Sequence, residues 1–305
     1  MSHFVPQSHD KFFKSLFSKK AAVQDVVRTL LPAEVAGHID VDSLTLAHTE
    51  YIDDKLKGHY SDIVYHGRYD NAGEGVDIQV ALLFEHKSAP EKYPHLQLLR
   101  YLLNAWETQI KQKQALTPII PIIFYHGLSE WDKRPLGDYF GKTDSTLQHF
   151  LPDFDYLLID AVRRSDGELK ALHNLELQMG LLVMKNIFDS QGLLQNLSLI
   201  LSEINTLLQS EKGKRAFETL SIYLLSNTQL TTKEWEEKMS TISLQAKQAF
   251  VSTAERLHKK GLKEGLKEGI NKGVLKTAKQ LKKIGLDAKT IAEGTGLSIE
   301  EIEKL

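Results

Sequence analysis

Apolar residues recur at two different periods along this chain, and the changes between them mark its elements. In residues 10–31, Phe13, Leu16, Phe17, Val23, Val26, Val27 and Leu30 fall at helical spacing. Residues 94–111 repeat that spacing, with Leu96, Leu99, Leu103 and Trp106 on one predicted face. Residues 44–47 are a short strand candidate. Residues 61–65 and 78–85 then flank Asp70-Asn71-Ala72-Gly73-Glu74-Gly75, a turn-forming cluster, which predicts a β-hairpin. Residues 119–125 and 155–160 are dense apolar runs of the kind found in strands buried on both faces. Helix, hairpin, helix, strand and strand over residues 1–165 predict a mixed α/β sheet with helices packed against it.

Beyond that point the strand signals stop. Residues 169–188, 193–208, 214–227 and 232–250 all read as amphipathic helices, so 166–254 is expected to be a helical subdomain that packs and orients the core. The tail, 255–305, changes again. Gly261, Gly265, Gly269 and Gly273 recur every four residues, near the helical period of 3.6, and so line one slowly drifting face. Each glycine costs about 1 kcal/mol of helix propensity. Two readings follow: a homo-oligomer seam, where close helix contact offsets that cost, or a weak helix. Residues 255–289 carry 11 Lys/Arg against 4 Asp/Glu. That stripe suits phosphate contact, although charge runs are more often solvated faces. Residues 274–305 read helix, turn, helix, turn, helix, a small helix-turn-helix-like unit whose last helix carries a Ser298/Glu301 capping box.

Bulk composition narrows the class. Hydrophobic content of 42% and charged content of 26% are those of an ordinary globular protein. A net charge of −2 gives no global attraction to nucleic acid, so any basic surface must be local. The absence of cysteine excludes disulfides, thiolate metal sites and cysteine nucleophiles, and suits a reducing cytoplasm. The first ten residues hold no apolar signal core, and no apolar run is long enough for a membrane span. The expectation is a cytoplasmic protein without a membrane partner.

The hairpin carries the chemistry. In a symmetric hairpin, paired residues have a constant index sum. Asp62 and Glu85 sum to 147, which puts the midpoint inside the turn cluster. The two carboxylates then become cross-strand neighbours with Cβ atoms roughly 5 Å apart. Glu85 and Lys87 are two apart on one strand and share a face. The following helix offers Gln97 and Tyr101, four apart and on one side. Charges ending a buried strand need partners or a role. Two acids and an ammonium suit a divalent metal and a phosphodiester; they serve equally as a salt bridge capping the sheet.

Asp62, Glu85-x-Lys87 and Gln97-xxx-Tyr101 together resemble the PD-(D/E)XK nuclease signature with the Gln-xxx-Tyr helix of its RecB-like members. The wider sequence is similar to the recombination-promoting nuclease (Rpn), or YhgA-like transposase, family. Residues 9–17 (HDKFFKSLF), 60–65 (YSDIVY), 83–88 (LFEHKS) and 121–127 (PIIFYHG) carry that likeness, together with the glycine-periodic tail. It covers nearly the whole chain. Ser61 replaces the proline that names the motif; the aspartate is the ligand, so the substitution casts little doubt on activity.

The resemblance implies a restriction-endonuclease-like mixed sheet flanked by helices, and a magnesium-dependent DNA endonuclease linked to recombination or mobile elements. Asp62, Glu85 and the backbone carbonyl of His86 would hold Mg2+, with Mn2+ or Ca2+ as substitutes. Lys87 would orient the attacking water or steady phosphate charge, and Gln97 would support the site. DNA is the implied partner. Two other readings stand beside it: an inactive DNA-binding or oligomerising module, and a transposase-associated protein. His86, pointing to the opposite face, is expected to be packed or hydrogen-bonded rather than a side-chain ligand. His126, which could lie near the site rim, is expected to be structural; Asp10 with Lys14 reads as an i,i+4 ion pair, and the resemblance leaves a site-adjacent role for Asp10 open.

Overall fold

A computed structural model describes residues 7–47, 63–70 and 77–305. Asp62 lies outside the described residues, as do residues 71–76 of the hairpin turn, Glu74 among them. Helices α1 (Ser8–Phe17), α2 (Lys20–Leu30) and α3 (Ala33–Ala36) lead into strands β1 (Ile39–Leu46), β2 (Ile63–Asp70) and β3 (Asp77–Lys87). Then follow α4 (Pro94–Lys111), β4 (Ile119–Tyr125), α5 (Ser145–Gln148) and β5 (Leu157–Asp160). The remaining helices are α6 (Asp166–Lys170), α7 (Leu175–Asn186), α8 (Ser190–Ile200), α9 (Ile204–Leu208), α10 (Glu211–Asn227), α11 (Thr232–Ser240), α12 (Leu244–Lys283), α13 (Ala288–Thr295) and α14 (Ile299–Glu303).

The strands form one sheet in the order β1-β2-β3-β4-β5. The first three are antiparallel; β4 and β5 run parallel to β3. Helix α4 supplies the crossover that a parallel neighbour requires. Its residues start and stop as the sequence predicts. Pro94, which needs no backbone N–H, sits at the first turn. The chain is a mixed α/β protein with a helical C-terminal region.

Local caps cut several predicted helices in two. The 10–31 segment is α1 and α2, separated where Lys19 is extended (φ −98°, ψ 116°) and the Ser18 N–H closes α1 onto the Lys14 carbonyl at 3.0 Å. The break lets each helix bury its own stripe, Phe12, Phe13, Leu16 and Phe17 in α1 and Val23, Val26, Val27 and Leu30 in α2. Within 169–188, Asn174 caps α7 through the Leu177 N–H. Within 193–208, Glu203 leaves the helical region between α8 and α9. The 232–250 segment is α11, opened by a Thr231/Glu234 capping box, and the start of α12.

The buried face of α4 also differs from the predicted one. Leu98 and Leu102 are 1% and 4% exposed, whereas Leu96 and Leu103 are 48% and 49% exposed. This helix carries two apolar stripes, and the inner one is that of Leu98.

The chain divides into two compact units, Met1–Phe250 and Val251–Leu305. In the first, α1 packs on α7 and α10, which ties the helical region to the N-terminal helices. In the second, Ala278, Ile291 and Ile302 form a small core. The Ser298/Glu301 capping box is present there with both of its bonds. Among the described residues no helix is long and apolar enough to cross a membrane.

Candidate functional site

The β2–β3 hairpin places the site. Its register runs from Ile63 opposite Phe84 to Asp70 opposite Asp77, so every pair sums to 147. This is the register on which Asp62 and Glu85 were expected to pair, now read from the described residues that follow Asp62. In the parallel ladder, Glu85 stands opposite Ile123, His86 opposite Phe124 and Lys87 opposite Tyr125. Alternation then gives the sheet two chemically different faces.

One face lies under α4. Ile123 and Tyr125 cluster there with Leu98, Trp131 and Tyr156, and Val64 and Tyr101 pack against them. The cluster is pinned by polar bonds: the Tyr125 hydroxyl donates to the Ser129 carbonyl at 2.5 Å, and Trp131 Nε1 to the Tyr156 hydroxyl at 2.9 Å. Lys87, half-buried and opposite Tyr125, belongs to this side. Half-buried Gln97 sits one turn before Tyr101 on the same helix. Lys87, Gln97 and Tyr101 are thus brought to one side of the sheet. Among the described residues no group of three or more His, Asp or Glu is placed to hold a metal ion. Asp70, near the hairpin turn, is exposed, as expected of a solvated turn residue.

The other face lies under α1 and holds residues that sequence reasoning did not join. Phe13 stacks on His86 at 5.0 Å between ring centres, and Phe17 meets Phe84 at 5.6 Å and Phe124 at 5.4 Å. At the strand ends this aromatic layer becomes polar. His86 Nδ1 lies 2.8 Å from Asp10 Oδ1, and His86 Nε2 lies 3.2 Å from His126 Nδ1. His126 Nε2 lies 3.3 Å from His9 Nδ1, which in turn lies 2.7 Å from the Tyr223 hydroxyl on α10. His126 is fully buried and His86 is 6% exposed. Burial first, then the neighbouring rings, lowers the His126 pKa to about 2. Burial, with His86 next, lowers that of His9 to about 4. Both rings are therefore neutral at pH 7. The Tyr223 hydroxyl is held protonated by burial.

A signal for this row was present in the sequence. His9, Phe13 and Phe17 share one helical face at i, i+4, i+8. Phe84 with His86 and Phe124 with His126 each share a strand face. What the sequence lacks is the statement that these three faces meet.

A five-stranded mixed sheet, entered through three helices and an antiparallel meander and extended in parallel across α4, defines the class of protein. A family model described as "Putative transposase, YhgA-like" matches residues 7–215, and the chain belongs to that family. It is 25% identical over 298 residues to "Recombination-promoting nuclease RpnA" of Escherichia coli K12, covering 96% of this chain and 95% of that protein. It is 24% identical over 266 residues to "Recombination-promoting nuclease RpnD" of Escherichia coli O157:H7, covering 85% and 97%. A third relative, "Inactive recombination-promoting nuclease-like protein RpnE" of Escherichia coli K12, is 26% identical over 298 residues, 96% of each chain. No solved structure matches the chain.

Proposed function

We propose that this protein is a metal-dependent DNA endonuclease of the PD-(D/E)XK type, acting in recombination or on mobile elements. The observation that carries the reading is the hairpin register. It aligns the strand ending in Glu85-His86-Lys87 against the strand that begins directly after Asp62, and α4 brings Gln97 to the Lys87 side. Full-length similarity to proteins named recombination-promoting nucleases adds support.

The donor set of two carboxylates and one backbone carbonyl is hard oxygen, which fits Mg2+; Mn2+ or Ca2+ are the expected substitutes. Asp62, Glu85 and the His86 carbonyl would hold the ion. Bound there, it supplies positive charge at the phosphate and lowers the pKa of a water. The Lys87 ammonium steadies the charge that builds on the phosphate oxygens. Gln97 donates its amide to a phosphate oxygen or to the attacking water and so holds either in place.

Nicking of supercoiled plasmid with Mg2+ tests this. The wild type should cut, and Asp62→Ala, Glu85→Ala and Lys87→Ala should each lose at least about 100-fold. Equal cutting by all four would sink the assigned residues. The similarity to a relative named inactive favours a second reading, a DNA-binding module without turnover. Salt-sensitive retention of DNA with no cutting by the wild type would decide for it.

A further inference from the structure

At the ends of β3 and β4 the backbone pairing continues past the last strand residue of β4. The Lys87 carbonyl lies 3.2 Å from the backbone nitrogen of His126 and 3.2 Å from its ring Nδ1. The next residue is Gly127, where a Cβ would collide with the Ser88 carbonyl. The strand end that carries Glu85 and Lys87 is thus gripped from β4 by two donors on one residue.

The carbonyl also orders the rings of His126 and His86. A carbonyl can only accept, so His126 Nδ1 carries the proton. His86 Nε2 faces that N–H and must be the bare, accepting nitrogen; its proton is then on Nδ1 and is donated to Asp10. His126 Nε2 is bare in turn; it faces His9 Nδ1 at 3.3 Å, and that nitrogen makes its shorter bond, 2.7 Å, with the Tyr223 hydroxyl. The N–H groups of His126 and His86 therefore point one way, from the end of β4 to β3 and on to Asp10 on α1. The tautomer of His126 selects that of His86.

We propose that Asp10, His86 and His126 are positioning residues, a one-directional hydrogen-bonded clamp that fixes the Lys87 carbonyl and with it the backbone carrying Glu85 and Lys87. Their side chains sit behind the reacting groups, on the α1 face; His86 would give the ion only its backbone carbonyl. The benefit of the clamp to turnover rests on the nuclease reading; its chemistry stands on the geometry alone. Outer partners of this kind change activity by about 10–100-fold when removed. A positioned strand end lowers the reorganisation needed on reaching the transition state. The loss therefore belongs in kcat and not in KM.

Two measurements test it on the full-length protein. In 15N spectra of histidine-labelled wild type, the resonance that disappears in His126→Asn should be a neutral ring protonated at Nδ1. A ring protonated at Nε2 overturns the clamp. In plasmid nicking, His126→Asn keeps a donor where Nδ1 stood and should retain most of the wild-type kcat. His126→Gln, whose amide lies where Nε2 stood, and His126→Leu should lose about 10–100-fold in kcat at unchanged KM. Wild-type kcat in both of the latter overturns the positioning role while leaving the nuclease reading intact. If the wild type cuts no DNA with any divalent ion, the nuclease reading fails. The tautomer then decides the clamp by itself, Nδ1–H for it and Nε2–H against it.

Discussion

The carboxylate of Asp10 and the Nδ1 of His86 meet at 2.8 Å although 76 residues separate them. That bond joins the first turn of α1 to the end of β3, and the His86 side chain is only 2% exposed. Asp10→Ala leaves a buried N–H without this acceptor, at a cost of about 1–3 kcal/mol. Asp10→Asn keeps an acceptor oxygen and should lose less. Urea midpoints in the order wild type, Asn, Ala are expected; equal midpoints would show that the bond contributes nothing.

His95, at the N-terminal end of α4, is 1% exposed, and among the described residues neither of its ring nitrogens meets a hydrogen-bond partner. It is enclosed edge-on by Tyr139, Phe154 and Tyr156, at ring separations of 5.9, 5.4 and 5.0 Å. His95→Phe keeps a ring and removes both unpaired nitrogens, which should stabilise the fold by about 1 kcal/mol. Burial above all lowers the pKa of His95 from its ordinary 6.5, against a smaller opposing pull from Asp155. Below that pH the unfolded chain binds a proton that the folded chain refuses, so stability falls as acid is added. The melting-temperature advantage of His95→Phe should therefore grow between about pH 8 and about pH 5. A constant advantage would remove the ionisation argument.

Gly180 marks the closest approach of α7 to α1. A Cβ there would lie 2.7 Å from Leu16 Cδ1 and 3.0 Å from Cδ2, and Leu16 is itself buried. Gly180→Ala should cost about 1–3 kcal/mol through overpacking, in spite of alanine's better helix propensity. Calorimetry on the single variant and on Gly180→Ala with Leu16→Val checks the cause: the second change should recover part of the loss.

The glycines of α12 behave oppositely. Among the described residues, a Cβ at Gly265, Gly269 or Gly273 meets nothing within 4 Å. Leu262, Leu266 and Ile270 beside them are 68%, 65% and 57% exposed. Replacing all three glycines by alanine should raise helical circular dichroism, each contributing about 1 kcal/mol of propensity. Sedimentation of the same variant separates the two readings of this stripe. An unchanged mass fits a weak helix, and a lower mass is expected if self-association runs through the glycine face.

The candidate site was legible in the sequence where it is local. A hairpin closes over a short turn, so its register follows from where the turn residues sit, and the 147 sum holds through every described pair. The bounds of α4 and β4 were legible for a similar reason: Pro94 at the first helical turn and an unbroken apolar run each act within a few residues. The face of α4 was not legible. Leu96 with Leu103 and Leu98 with Leu102 are both acceptable apolar stripes on an isolated helix. Only the sheet beneath, with Ile123, Tyr125 and Val64, selects the second.

By itself the sequence determined the alternation of helix and strand through the sheet region, the hairpin register, the Ser298/Glu301 cap and the family to which the chain belongs. Each of these depends on residues within a few positions of one another, or on a pattern that survives along the whole chain. Tertiary structure alone decided that His9, Asp10, His86, His126 and Tyr223 form one hydrogen-bonded row. The contacts of that row span from 40 residues, His86 to His126, to 214, His9 to Tyr223. No local preference encodes such a meeting. It arises when α1 lays its aromatic stripe across the sheet and α10 closes over α1, because burying those rings together removes the most apolar surface from water.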